Sequence, residues 1–174
     1  MSEEFLNGHS SEEAESKAAL VRELLLGTDD GARWLLAVKA LDAADAVPIL
    51  ATVLKNKGES LQTRRQAALI LGVLADRSGI EPLVAALGDE DPVVRARALE
   101  ALAQFEAPGP EAQLAVSRAL RDEDDYVREV AAITAGALKV PGAQELLKEL
   151  ANADPASDVR AAAAESLRAR EGSG

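Results

Sequence analysis

An arginine returns five times along this chain at a nearly constant interval, and no other feature constrains the fold as strongly. Successive arginines are 31, 31, 33 and 32 residues apart. The five are Arg33, Arg64, Arg95, Arg128 and Arg160. Apolar residues follow each one after three, four and seven positions, which places them on one face of a helix. This interval predicts a stack of repeated helical units, and such stacks build extended surfaces that commonly bind partners.

Each unit is predicted to contain two helices, the second of which carries the arginine. The first helices are predicted at 11–26, 45–56, 79–88, 110–121 and 142–152. The second helices are predicted at 30–43, 61–75, 92–105, 125–138 and 156–170. No segment of the sequence has the alternating pattern of a strand, so no sheet is expected. The expected fold is all-α, a right-handed α-solenoid of about five helix pairs at residues 11–170, with flexible tails at 1–10 and 171–174. The outermost helices are expected to cap the stack.

Composition narrows the function classes. The chain has 174 residues, a net charge of −11 and no cysteine. Disulfides, thiol catalysis and thiolate metal ligands are therefore excluded. The acidic balance argues against nucleic acid and anionic membranes as partners. The acidic start at residues 1–5 does not resemble a secretory signal, and no run approaches the roughly 20 apolar residues of a membrane helix. We therefore expect a soluble, cytoplasmic protein.

Two segments carry a resemblance to a known family. Residues 91–102 read Asp-Pro-Val-Val-Arg-Ala-Arg-Ala-Leu-Glu-Ala-Leu and resemble the second helix of a HEAT repeat, as do residues 124–138. The short interval is most similar to the bacterial HEAT-like repeats of phycobilisome lyases, and the resemblance covers roughly residues 12–170. It implies a helical solenoid, but it implies little about activity because this fold serves many unrelated functions.

The second helices share a candidate helix cap. Asp29, Asp91 and Asp124 each lie four residues before a repeated arginine. We expect them to accept hydrogen bonds from free N–H groups at the helix start and to pair with an arginine in the same or the neighbouring unit. Ser60 and Ala156 occupy the same position in two other units. Those two turns are expected to be built differently.

Few residues suggest catalysis or metal binding. The acidic run 122–125 is a candidate cation site, but it lacks the ligand spacing and the turning glycine of a calcium loop. His9 is the only histidine of the chain, and a lone histidine does not make a usual metal site or a Ser-His-Asp system. The sequence therefore predicts no catalytic residue, no metal site and no cofactor.

The acidic turns suggest one possible surface. In a solenoid they line one edge, formed by Asp29, Asp30, Glu59, the runs 89–91 and 122–125, Asp154 and Asp158. One interpretation is an edge that attracts a basic partner by electrostatic steering. The alternative is an edge of helix caps that keeps the protein soluble.

Apolar residues that point away from the predicted core suggest a second surface. Positions one, two, five and nine residues after the arginine face away from the apolar face of the second helix. The candidate partner-binding residues at these positions are Trp34, Leu35, Leu69, Val73, Val130 and Ile133, with Val38 on the same predicted face. An exposed apolar patch there would mark a partner site. Alternatively, the helices tilt, or the N-terminal segment covers these side chains.

These observations favour a non-enzymatic scaffold that binds a protein partner on its concave face. The sequence specifies neither the identity of this partner nor the oligomeric state. Two alternatives remain: a bilin lyase-type enzyme or subunit, which rests on the family resemblance alone, and nucleic-acid binding, which the acidic charge and the scarcity of aromatic residues oppose.

Overall fold

The computed structural model describes residues 15–26 and 37–171, the last without its side chain, and these ranges contain helices and no strand. Residues 15–25 and 37–39 are helical. The helices that follow are α1 (Ala43–Lys55), α2 (Leu61–Leu74), α3 (Ile80–Ala86), α4 (Pro92–Leu102), α5 (Pro110–Ala119), α6 (Asp125–Ala137), α7 (Ala143–Ala153) and α8 (Ser157–Glu171), with a 3-10 turn at Arg77–Gly79. Among the described residues, no helix has the length and apolar character needed to cross a membrane. Asp29, Arg33 and His9 lie outside these ranges.

The starts of the second helices are capped by side chains. Asp91 accepts hydrogen bonds through Oδ1 from the backbone N–H groups of Val93 and Val94, at 3.0 and 3.1 Å. Asp124 caps α6 by accepting one hydrogen bond through Oδ1, from the N–H of Val127 at 3.2 Å. At the start of α2, Ser60 replaces the aspartate and accepts through Oγ from the N–H of residue 63. The caps expected at Asp91 and Asp124 are therefore confirmed, and the Ser60 turn is built with a hydroxyl instead of a carboxylate.

The helices form two layers. The second helices α2, α4, α6 and α8 contact one another much more extensively than the first helices α1, α3, α5 and α7 do. Gly72 permits this closeness, because a Cβ at its position would lie 2.8 Å from the Cα of Ala101 on α4. Gly136 of α6 lies equally close to Ser166 of α8. The tighter layer is the inner side of the curve, so the second helices form the concave wall of an all-α solenoid.

Hydroxyl groups fix the register between neighbouring second helices. Ser166 of α8 donates from Oγ to the carbonyl oxygen of Ala132 on α6, at 2.8 Å. Thr134 of α6 makes the equivalent bond to the carbonyl of Leu99 on α4, at 3.3 Å. Both hydroxyls are buried six positions after a repeated arginine. The position six residues after the arginine therefore faces the preceding unit.

Candidate functional site

The repeated arginines connect consecutive units. Arg95 donates from Nε and Nη2 to the carboxylate of Asp122 in the next unit, at 2.9 and 2.6 Å. Its Nη1 donates to the carbonyl oxygens of Asp89 and Glu90 in the turn of its own unit. Arg128 repeats both sets of bonds one unit further along. We call this series, from Arg64 through Arg160 with the intervening aspartates, the arginine ladder. It fixes the angle between neighbouring units.

The two ends of the ladder differ from its middle. Arg64 is 2% exposed and pairs with Asp89 through Nη1, while its buried Nε has no hydrogen-bond partner among the described residues. Arg160 donates from Nη1 to the carbonyls of Asp154 and Pro155, at 2.7 and 2.9 Å. Within the described residues, no carboxylate forms a hydrogen bond or an ion pair with Arg160. Among the described units, the bidentate pairs therefore occur only at Arg95 and Arg128.

Charge pairing favours the ionised form of the Asp154 carboxylate. The Arg128 guanidinium, together with the N–H of Ala156, holds the pKa of Asp154 below its usual value, although burial opposes the shift. The hydrogen bond to Asp122 raises the pKa of Arg95, and Asp154 does the same for Arg128. Both shifts in the pair of Arg128 and Asp154 favour its charged form.

Most aspartates of the described acidic edge form ion pairs or helix caps within the protein. Its inner aspartates pair with the ladder arginines or cap helices, and these are Asp89, Asp91, Asp122, Asp124 and Asp154. The exposed carboxylates along the described edge are those of Glu90, Glu123, Asp125 and Asp158. Within the described residues, no cluster of three or more metal-ligating side chains occurs. The geometry thus favours the structural interpretation of the acidic turns over a steering surface.

The outward face of the second helices contains exposed apolar side chains. Leu69 on α2 is 39% exposed and Ile133 on α6 is 52% exposed. Both lie five residues after a ladder arginine, so they occupy the same position in different units. Val73 is half-buried against the core. Trp34 and Leu35 lie outside the described residues, so the structure does not place them.

The outward direction was predicted wrongly at two positions. Val130 is buried, with 6% exposure, although Ile133 three residues later on the same helix is exposed. Val38 is completely buried in the core cluster. The position five residues after the arginine is therefore buried at Val38, although it is exposed at Leu69 and Ile133. Neither side chain is available to a partner in this structure.

One residue of this face was missed by the sequence analysis. Tyr126 is 38% exposed and precedes Ile133 by seven residues, or two helical turns, so both lie on one side of α6. The pKa of Arg97 on α4 is raised mainly by its hydrogen bond to Glu100 and additionally by Tyr126, while burial opposes the shift. The sequence would have identified Tyr126 if the position two residues before the arginine had been included, because it lies on the same side of the helix as Ile133. We define the outward face as Leu69, Arg97, Glu100, Tyr126 and Ile133.

A groove of about 810 Å³ lies between first helices α1 and α3. Its floor contains Val47, Leu54 and Ala86, and Lys55 and Lys57 lie at its rim. It belongs to the layer opposite the outward face. The loose packing of the short helix α3 against α1 accounts for it.

Comparison with known proteins agrees with this architecture. A family model described as HEAT repeats matches residues 47–116 and 80–168. The structure is similar to a chain in the complex of CpcE and CpcF of phycocyanin lyase from Nostoc sp. PCC7120, with a TM-score of 0.66 and 22% identity over 90% of this chain. It is also similar to an engineered protein, with a TM-score of 0.58, 24% identity and coverage of 90% of this chain and 72% of that one. A search of curated proteins found no significant match.

The match to the lyase structure has two limits. This chain spans 64% of the length of the lyase chain. At 22% identity, the similarity supports the fold and does not by itself transfer an activity.

Proposed function

This chain belongs to the HEAT repeat family, and from that premise we propose that it is a non-enzymatic scaffold that binds a protein partner on its outward face. The observation that supports this proposal is the exposure of Leu69 and Ile133 at the same position of two second helices. A monomeric protein gains nothing in folding from large apolar side chains held in water on its concave wall.

The arrangement of the outward face suits protein binding. Apolar anchors surrounded by polar groups are the usual anatomy of such surfaces, and buried anchors provide most of the binding energy. Here Tyr126 and Ile133 supply the apolar area, while the pair of Arg97 and Glu100 supplies the polar border. The similar lyase structure was solved as a complex of two proteins, which supports a protein as the partner.

Paired substitutions test this proposal. Leu69→Asp and Ile133→Asp each place a charge in the proposed contact, so we expect both to abolish recovery of the partner in affinity purification from the native lysate. Leu114→Asp is the matched control because Leu114 is 52% exposed on first helix α5, outside the outward face. Normal recovery of the partner with both variants would show that the partner binds another surface. Equal loss of the partner with the control would show a nonspecific effect.

A second candidate function is a bilin lyase-type subunit, and the similarity to phycocyanin lyase favours it. Mixing the full chain with a free bilin and recording the visible spectrum tests it. A saturable absorption shift would support this function and would argue against a scaffold that binds protein alone. An unchanged spectrum at high bilin concentration would leave the scaffold as the supported function.

A further inference from the structure

We propose that Arg160, the last arginine of the ladder, is the docking point for an aspartate on an acidic helical repeat of a partner protein. This repeat would stack on α8 as α8 itself stacks on α6. The proposal concerns the side of α8 that faces away from α6 and is independent of the outward face.

Arg160 is already held in the geometry of a paired ladder arginine. Arg95, Arg128 and Arg160 each donate from Nη1 to the carbonyl oxygens five and six residues earlier, at distances between 2.7 and 3.3 Å. In Arg95 and Arg128 this leaves Nε and Nη2 directed at an aspartate carboxylate of the following unit. Arg160 presents the same two donors, and no carboxylate within the described residues receives them. A carboxylate is the group that such a fork binds best.

A stripe of residues along α8 faces away from α6. In the inner units, the positions at zero, one, four and eight residues from the arginine lie toward the following unit, as the contact of Gly72 with Ala101 shows. On α8 these positions hold Arg160, Ala161, Ala164 and Arg168. Ala132, the equivalent of Ala164 on α6, is completely buried, whereas Ala164 is half-buried. The stripe therefore keeps small stacking residues, although the sequence led us to expect a cap here.

The positive charge of this stripe indicates that its partner carries a negative charge. The stripe carries two arginines in a chain whose net charge is −11. Pairing of two copies through this stripe would bring arginines into opposition, which is unfavourable. A turn built like the one at Asp154, with an aspartate just before a second helix, offers the complementary carboxylate. The occupant is therefore the acidic end of another helical-repeat protein.

The first experiment tests the chemistry of stacking within one chain. A copy of residues 140–171 is added directly after residue 171, which places the copied aspartate 26 residues after Arg160, the separation of Arg128 and Asp154. We expect the added unit to raise Tm. Arg160→Gln and the Asn variant of the copied aspartate should each remove part of this gain, and the double variant should lose no more than either single variant.

The control for this experiment is Glu165→Gln, an exposed position of α8 that points outward. It should leave the gain in Tm unchanged. Additive losses from the two ladder substitutions, or no loss from either one, would overturn the assignment of Arg160 as a carboxylate receptor.

The second experiment tests the partner with the full, unextended chain. A photo-crosslinking residue replaces Ala161, which is exposed within the stripe, and adducts from the native lysate are mapped by mass spectrometry. We expect the crosslinked peptide to be an aspartate-containing turn of a helical-repeat protein. Arg160→Gln should reduce the adduct by about tenfold, as expected for the loss of a charged bidentate pair.

Three results would overturn the proposal: an adduct with a second copy of this chain, an adduct whose yield is independent of Arg160, or no adduct. Ile133→Asp serves as the separating control. It should leave the adduct intact, so failure of the outward-face proposal and failure of this one are distinguishable.

Discussion

Arg128 holds Asp154 by two parallel hydrogen bonds, Nε to Oδ2 at 2.8 Å and Nη2 to Oδ1 at 3.0 Å. The Asp154 side chain is 3% exposed, so water competes little for its carboxylate. At the same time, Nη1 of Arg128 donates to the carbonyl oxygen of Asp122, at 2.9 Å. One guanidinium therefore joins the turns of two consecutive units. The stack thus depends on charged side chains as well as on its apolar core.

Removal of a ladder arginine should destabilise the stack. Arg128→Ala and Arg95→Ala each leave a largely buried aspartate without its charged partner, so we expect each to lower the free energy of unfolding by about 1–3 kcal/mol. Denaturant melts measure this loss. Arg128→Lys is the informative control, because a lysine keeps the charge and lacks the bidentate fork, and it should recover part of the loss. Unchanged midpoints would show that the ladder contributes nothing to stability.

Asp154 should make stability depend on pH in the acidic range. Its pKa in the folded protein is lowered by Arg128, so its contribution is complete above the unfolded value of about 3.9 and is lost as the pH falls through the lower folded value. We expect Asp154→Asn to be less stable than the natural chain at pH 7 and the gap to close at the acidic end. Urea melts from pH 7 to pH 2 measure it. A gap that stays constant over this range would contradict a charge effect.

Close contact between second helices should make Gly72 intolerant of a side chain. A Cβ at this position would lie 2.8 Å from the backbone Cα of Ala101, which cannot rotate away. We expect Gly72→Ala to destabilise by about 1–3 kcal/mol from overpacking, a cost that the better helix propensity of alanine offsets only in part. Gly88→Ala is the control, since the nearest atom there is 3.5 Å away. Thermal melts of the two variants should differ clearly, and equal melts would indicate that the helices can separate at little cost.

The repeat interval was sufficient to predict the fold class and the positions of most helices, because small and apolar residues recur where helices contact each other. It did not predict which aspartate each arginine binds. The sequence analysis singled out Asp124, four residues before an arginine, whereas Asp122, six residues before it, receives Arg95 from the preceding unit. Sequence spacing measures distance within a unit, and this pair crosses between units.

The candidate site was predicted less completely, for a related reason. One helical face was treated as outward over an arc that includes Val130, but a helix in a stack has neighbours on both sides as well as a core. Val130 is buried, while Tyr126, on the open part of the arc, was missed. Leu69 and Ile133, in the centre of that arc, were identified. Their role in binding a partner stays a prediction.

The contrast between Val130 and Ile133 provides the sharpest test of this helix phase. The two residues are three positions apart on α6, yet Val130 is 6% exposed and Ile133 is 52% exposed. A buried aspartate without a partner carries a large desolvation penalty, so Val130→Asp should lower the free energy of unfolding by several kcal/mol, about 3 or more. Ile133→Asp keeps its charge in water and should change this free energy by no more than about 0.5 kcal/mol.

Urea melts followed by circular dichroism measure both variants, with Ile133→Ala as a control for loss of side-chain volume alone. If Ile133→Asp unfolds the protein as Val130→Asp does, Ile133 contributes to the core and cannot serve as a free anchor. If Val130→Asp is tolerated, the second helices are packed more loosely than the contact of Gly136 with Ser166 implies. The expected result, one variant unfolded and the other stable, would fix which side of α6 is available to a partner.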